Sequence, residues 1–295
     1  MESSSSGPYF RKIMRIKTKG GGRIHASPLR YPGGKTSLFP FFKKVIADSS
    51  LSRVTYVEPF AGGAGAALSL LLSGNVERIV INDLDPAIYS FWKSAIFDSE
   101  KFLRKMKRVP VTVAEWRRQK TIYANPDAST FDLGFATFFL NRTNVSGILD
   151  GGPIGGLDQS GTYKIDARFN KKALAEKIEK IASLKQRITV LNKDGLVLIR
   201  DYLNRKNTFV YLDPPYFDKG ATLYLNHYKK EDHENLAKEL NNHQDSFWLL
   251  TYDDKKEIRA LYPQTKIHGF SLNYNAYVAR VGKEILITSR ALASH

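Results

Sequence analysis

Cysteine is absent from the 295 residues. That excludes disulfides, thiolate metal centres and a cysteine nucleophile, and it agrees with a cytoplasmic address. Long apolar runs are missing too: nothing approaches the roughly 20 apolar residues a membrane-spanning helix needs. The amino terminus, MESSSSGPYF, lacks the apolar stretch of a secretory signal. The histidines form no ligand set. His227, His233 and His243 lie in polar sequence without HExxH-type spacing, so no metal is expected. Acid is scarce relative to base: Lys and Arg number 45 against 29 Asp and Glu, a formal charge of +16. Such a surplus points to a polyanionic partner. Nucleic acid is favoured over membrane, because no long basic helix carries a bulky aromatic face.

What is present is ordinary for a globular protein, with 42% hydrophobic and 25% charged residues. Residues 1–24, with a serine run and then KTKGGGR, bury little apolar surface and are expected to be unfolded or foreign to the natural chain. Strand signals occur at 53–60 and 77–83, separated by AGGAG and the apolar stretch AALSLLLSG, and a helix follows at 86–97 that starts with proline. That β–loop–α–β–α order is the pattern of an open parallel sheet. Residues 98–184 differ: they read as basic and mostly helical, with one glycine-rich loop, SGILDGGPIGGLDQSGTYK. The spacing of Leu174, Ile178, Ile181 and Leu184 predicts a helix over 171–187. Strand signals return at 187–192, 208–213, 246–252, 265–272 and 284–290. The expected organisation is one α/β domain formed by 25–97 and 185–295, interrupted by a module over 98–184.

Four stretches carry chemistry. In VEPFAGGAG, Gly62, Gly63 and Gly65 stand between a strand end and a helix start, where glycine lets a ligand approach the backbone. In NDLDP, Asp83 and Asp85 close the next strand, where an acid in nucleoside-binding α/β folds meets ribose hydroxyls. LRYPGGKTS is not a phosphate loop, because the Walker pattern requires glycine where Leu29 stands. In TFVYLDPPYF, the two prolines hold Asp213 and Pro214 extended and set Tyr216 beyond a stiff corner. A carboxylate, a carbonyl and a ring in that order suit the exocyclic amine of a nucleobase. The first two accept its hydrogens and the ring stacks on the base.

RYPGGK, EPFAGGAGAALSLL, NDLDP, FFLNRTN and YLDPPY occur in that order. Together they resemble the DNA adenine-N6 methyltransferases of the Dam type, the alpha-class amino-methyltransferases, over most of the chain. The resemblance implies a Rossmann-like methyltransferase sheet, mostly parallel with an antiparallel last strand, and an inserted helical target-recognition domain. It implies S-adenosylmethionine as methyl donor. Tyr31, Lys35, Glu58, Phe60, Gly62, Gly63, Asp83, Asp194 and Asp213 match the family's donor-binding positions, with Asp83 at the ribose and Asp194 at the donor's adenine ring. Asp213, Pro214, Pro215 and Tyr216 match its catalytic motif.

The resemblance also implies double-stranded DNA as partner, with a cognate restriction endonuclease as a second partner it allows, and a bacterial, archaeal or phage source. A monomer is favoured. Asn141, Arg142, Asn144, Lys164 and Arg168 are the candidates for DNA contact, since Arg pairs with guanine and Asn with adenine in the major groove. Ser146-Gly147 stands where members that read GATC carry Asn-Gly, so the target sequence stays open. Cytosine-N4 methylation, RNA adenine methylation and a catalytically silent DNA-binding relative are the alternatives. Aspartate rather than serine at position 213 favours adenine.

Overall fold

The computed structural model describes residues 26–30, 35–217, 228–263, 265–274 and 280–293. The chain after Lys35 runs α1 (Phe39–Asp48), β1 (Thr55–Glu58), α2 (Gly65–Leu72), β2 (Arg78–Asn82) and α3 (Pro86–Phe97). Four helices follow: α4 (Ser99–Arg108), α5 (Val113–Ala124), α6 (Thr130–Thr143) and α7 (Lys171–Ala182). Then come β3 (Ile188–Leu191), α8 (Gly195–Leu203), β4 (Thr208–Leu212), α9 (Lys230–Asn242) and β5 (Phe247–Asp253). The chain closes with α10 (Lys256–Leu261), β6 (Lys266–Tyr274), β7 (Arg280–Thr288) and the short α11 (Arg290–Ala293).

The seven strands form one sheet in the order β3-β2-β1-β4-β5-β7-β6. The first five are parallel, whereas β7 runs antiparallel to β5 and β6 antiparallel to β7. The α/β class and the mixed sheet are as expected from the sequence. Boundaries moved where local pairing decides them. The expected strand at 187–192 starts one residue later, after a 3-10 turn at Lys185–Arg187, and the strand placed at 284–290 is the end of β7. The helix expected over 171–187 stops at Ala182.

The central strands are legible because helices cover both of their faces. Every residue of β4 is buried. With a side-chain period of two, Phe209 and Tyr211 enter one apolar cluster while Val210 and Leu212 enter another. The second cluster takes Leu198 of α8, Leu236 of α9 and Ile258 of α10. The first takes α1 to α4, α6 and α7, so residues 98–184 bury their apolar side in the sheet's own core. Phe91 of α3 stacks on Phe138 of α6 with centroids 5.8 Å apart, and Phe102 of α4 tilts against Phe135 at 5.3 Å.

Gly134 explains how α6 comes so close to α3. A Cβ at that position would lie 2.2 Å from the Ser90 carbonyl oxygen. Mid-helix glycine costs about 1 kcal/mol relative to alanine, and the crossing accounts for its presence. Among the described residues no helix is long and apolar enough to cross a membrane.

Candidate active site

The sheet order reverses between β1 and β4, and the crevice beyond the carboxyl ends of strands at such a point is where open α/β sheets bind ligands. The parallel strands deliver acids to that edge: Glu58 ends β1, Asp83 follows β2, Asp194 follows β3, Asp213 follows β4 and Asp253 ends β5.

The β1–α2 loop is drawn tight over this edge. Gly62 and Ala64 have φ of 44° and 48°, a region glycine enters freely and alanine only under constraint. The constraint is a set of hydrogen bonds. Gly62 N donates to Asp83 Oδ2 (2.8 Å), Trp92 Nε1 donates to Gly62 O (2.8 Å), and Ala61 N donates to Asn82 O (2.8 Å). Gly63 is buried in the same turn.

Asn82, which the sequence did not single out, ties three loops together. Its Nδ2 donates to Pro59 O and Lys193 O, both at 2.9 Å, and its Oδ1 accepts from Lys193 N at 2.9 Å. Glu58 is buried beneath the loop and accepts from Tyr56 Oη (3.1 Å) and Ala67 N (3.0 Å). Burial lifts its pKa to about 8 against the pull of those two donors.

Asp83 accepts from Gly62 N through one oxygen and from Asp85 N, at 3.0 Å, through the other. Burial again dominates and lifts it to about 6, with the two amides opposing. Each of its oxygens keeps a lone pair for a hydroxyl. Asp194 caps α8: one of its oxygens accepts from Leu196 N (2.9 Å) and Val197 N (3.1 Å). Phe60 lies against the first residue of that helix, where a Cβ on Gly195 would meet the ring at 2.6 Å, and Tyr228 meets Phe60 edge-on at 5.7 Å. Phe60, Asp83 and Asp194 thus sit on neighbouring strand ends.

The corner after β4 is a network of charge. Lys35, buried, places Nζ 3.0 Å from Asp213 Oδ2 and donates to Tyr216 Oη at 2.7 Å. Tyr216 Oη donates to Glu284 Oε1 on β7 at 2.5 Å, and Lys35 Nζ is 3.6 Å from the same oxygen. Thr251 Oγ1 donates to Asp213 Oδ1 (2.8 Å) and is itself bonded to the Tyr211 hydroxyl (2.9 Å). Asp253 accepts from Phe217 N at 3.2 Å, which fixes the chain just past Tyr216. Pro214 is buried, whereas Asp213, Pro215 and Tyr216 are partly exposed.

Burial holds the Tyr216 hydroxyl well above the usual phenol range, with Asp213 and Glu284 adding to it, so the ring stays neutral. Burial also raises Glu284, against Lys35 and Tyr216. Glu284 escaped the sequence reading, since its only local signal is an acid at the head of the apolar run EILI. Tyr31 lies outside the described residues.

The candidates for DNA contact divide. Asn141 is 2% exposed and spends its amide inside the protein. It accepts from Arg30 N (2.7 Å) and donates to Arg30 O (2.8 Å) and Gly147 O (2.9 Å). Asn144 is fully buried, accepting from Trp116 Nε1 (2.6 Å) and donating to Ile148 O (2.7 Å) and Leu149 O (3.0 Å). Neither amide is turned to a partner. Arg142 donates to Arg168 O at 2.7 Å through Nε, and Lys164 donates to Gln159 O at 2.6 Å.

Arg30 and Lys177, not foreseen, join Arg142 and Arg168 in a cluster of cations. Burial, then Arg30 and Arg168, lowers Arg142 to about 10. Burial, then Arg168, lowers Arg30; burial, then Arg142, lowers Lys177. No acid forms a salt bridge with any of the four among the described residues. In the same residues no group of His, Cys, Asp or Glu is arranged to hold a metal ion.

The charge of the crevice bears on which cosubstrate it fits. Acids line the strand ends, and among the described residues the corner sets two carboxylates against one ammonium. A phosphate would be repelled there, whereas a sulfonium-bearing nucleoside with free ribose hydroxyls is matched.

The family model described as D12 class N6 adenine-specific DNA methyltransferase matches residues 31–275. Two curated proteins are similar. The type II methyltransferase M.MjaIII of Methanocaldococcus jannaschii is 23% identical over 220 residues, which cover 69% of this chain and 73% of that protein. The type II methyltransferase M.CviBI of Paramecium bursaria Chlorella virus NC1A is 25% identical over 224 residues, covering 71% and 76%. Among solved structures, the rRNA methyltransferase aviRa from Streptomyces viridochromogenes aligns at 10% identity over 96% of this chain and 92% of its own. Its TM-score of 0.40 is too low to bear on the fold.

Proposed function

Because the chain belongs to the D12 class of N6 adenine-specific DNA methyltransferases, which methylate DNA adenine with a donor of the S-adenosylmethionine type, we propose that the corner Asp213–Tyr216 is its catalytic site. The observation that carries this reading is the arrangement around Lys35, which joins Asp213, Tyr216 and Glu284 at the end of β4.

A target adenine cannot reach the crevice while stacked in a duplex, so the base is flipped out, at a cost of a few kcal/mol. The Tyr216 ring, held by its hydroxyl, offsets part of that by stacking, at about 1–3 kcal/mol. Asp213 and the Pro214 carbonyl accept the two amine hydrogens and turn the nitrogen lone pair toward the crevice. When bound, the donor supplies an electrophilic methyl group on a cationic sulfur. Asp213 need not be a strong base, because the amine becomes acidic only as its new bond forms. The catalytic contributions are alignment and fixed charge.

The donor's residues are Lys35, Glu58, Phe60, Gly62, Gly63, Asp83, Asp194 and Asp213. Asp83 meets the ribose, while Phe60 and Asp194 flank the donor's base. The cation cluster of Arg30, Arg142, Arg168 and Lys177 holds DNA phosphates, Lys164 is a further DNA contact, and residues 98–184 read the target. Both curated relatives are type II methyltransferases, and the same class is the reading here, with a cognate endonuclease as its genetic partner. The test is transfer of labelled methyl from S-adenosylmethionine to duplex DNA. Asp213→Ala is expected to lose transfer while still binding the donor, and wild-type turnover by that variant would refute the assignment.

A further inference from the structure

Glu284 is 2% exposed, and its Oε2 is buried without a hydrogen-bond partner among the described residues. Its other oxygen accepts from Tyr216 Oη at 2.5 Å and lies 3.6 Å from Lys35 Nζ. Asp213 approaches the same ammonium at 3.0 Å. No second cation pairs with either carboxylate among the described residues. Fold stability does not explain this arrangement. An apolar side chain of similar volume would fill the position without leaving a buried carboxylate oxygen unmatched. An excess charge kept at such a place is explained by a ligand of opposite sign.

Resting on the reading of this crevice as the donor site, we propose that Glu284 is a positioning residue whose surplus negative charge makes the site prefer a cationic sulfonium donor over the neutral thioether left after transfer. During transfer the amine lone pair forms the new N–C bond and the S–C bonding pair returns to sulfur. The positive charge therefore leaves the sulfur, and the amine proton carries it away. The carboxylate surplus loses its counter-charge at that moment, which weakens the hold on the spent product. Glu284 acts across Lys35 and Tyr216 and touches neither reacting atom.

The test is calorimetric affinity, without DNA, for S-adenosylmethionine, S-adenosylhomocysteine and the charged, non-transferring analogue sinefungin. In Glu284→Gln, which keeps the shape, the donor-to-product affinity ratio is expected to fall about tenfold, the scale of one partly screened charge, and sinefungin is expected to follow the donor. Glu284→Ala carries the same expectation should the glutamine variant misfold. Glu284→Asp keeps both carboxylates and is expected to keep the ratio. An unchanged ratio in Glu284→Gln, or equal weakening of all three compounds, overturns the proposal. So does a fall in Glu284→Asp as large as that in Glu284→Gln, which would make the effect one of shape. Failure of the wild type to bind any of the three would instead sink the reading of the crevice as a donor site.

Discussion

The strand-end crevice and the cation cluster use charge in opposite ways. At the strand ends, the acids of β1 to β5 are held by partners within the protein: backbone amides for Glu58, Asp83, Asp194 and Asp253, and Thr251 and Lys35 for Asp213. Around Arg142, cations gather with no acid in salt-bridge contact among the described residues, and burial, then the neighbouring cations, lowers Arg142, Arg30 and Lys177. On the function proposed above, the first region presents fixed groups to a small molecule, and the second leaves charge for a polyanion to supply. The +16 of the whole chain conceals this division.

If the division is real, damage at one region should spare the ligand of the other. The largest effect is expected from Asp213→Ala: methyl transfer falls by about 10²–10³-fold or more, with DNA affinity by fluorescence anisotropy unchanged. A matching loss of DNA affinity would break the division. Next is Glu58, whose carboxyl titrates near 8 in the folded chain against 4.5 when free. The folded protein keeps this proton over a range in which the unfolded chain has lost it. Its contribution to stability is therefore fully present below about pH 4.5 and disappears as pH rises through about 8. At about 1.4 kcal/mol for each unit, the upper bound is several kcal/mol. Glu58→Gln should flatten that slope in urea melts across the window, and an unaltered slope would show that burial does not set the Glu58 proton.

Asn82→Ala removes three hydrogen bonds, one buried and two partly buried, and should cost about 2–3 kcal/mol of stability. It should also weaken donor binding by calorimetry, because the β1 and β3 loops lose their tie. DNA affinity that drops instead would blur the comparison. Arg142→Ala and Lys177→Ala should each lower DNA affinity about tenfold and reduce the slope of log K against log salt by about 0.9. Donor affinity should hold in both, and a salt slope that does not move would remove the phosphate reading. The smallest effect belongs to Lys164→Ala, exposed and bonded to a loop carbonyl, with stability within about 0.5 kcal/mol of the wild type.

The sequence displayed these two regions unequally. β1, β2 and β4 read clearly because burial on both faces writes them as apolar runs, and the prolines after Asp213 mark their corner by stereochemistry alone. Glu284 was invisible because an antiparallel strand far along the chain brings it to Lys35, and no local pattern reports that pairing. Asn141 and Asn144 show a related limit: an amide in a polar stretch looks the same in sequence whether it meets a base or, as here, its own backbone. Arg30 and Lys177 gain meaning only once folding sets them beside Arg142. Ser146 takes φ of 57°, a left-handed geometry asparagine adopts more readily, and Gly147 must lack a Cβ because the Arg30 carbonyl is 2.6 Å from where one would sit.

The contact at Gly134 sets a rule for anyone wishing to retarget the enzyme. Residues 98–184 invite treatment as an exchangeable cassette, yet α6 rests on the Ser90 carbonyl with no room for a methyl group, and the Phe91–Phe138 stack crosses the same seam. A graft cut at residue 98 would strand half of an aromatic interlock on each side. The transferable unit is α3 together with α4 to α7, and since α3 also carries the Trp92 bond to Gly62, every transplant would have to be refitted to the loop over the crevice.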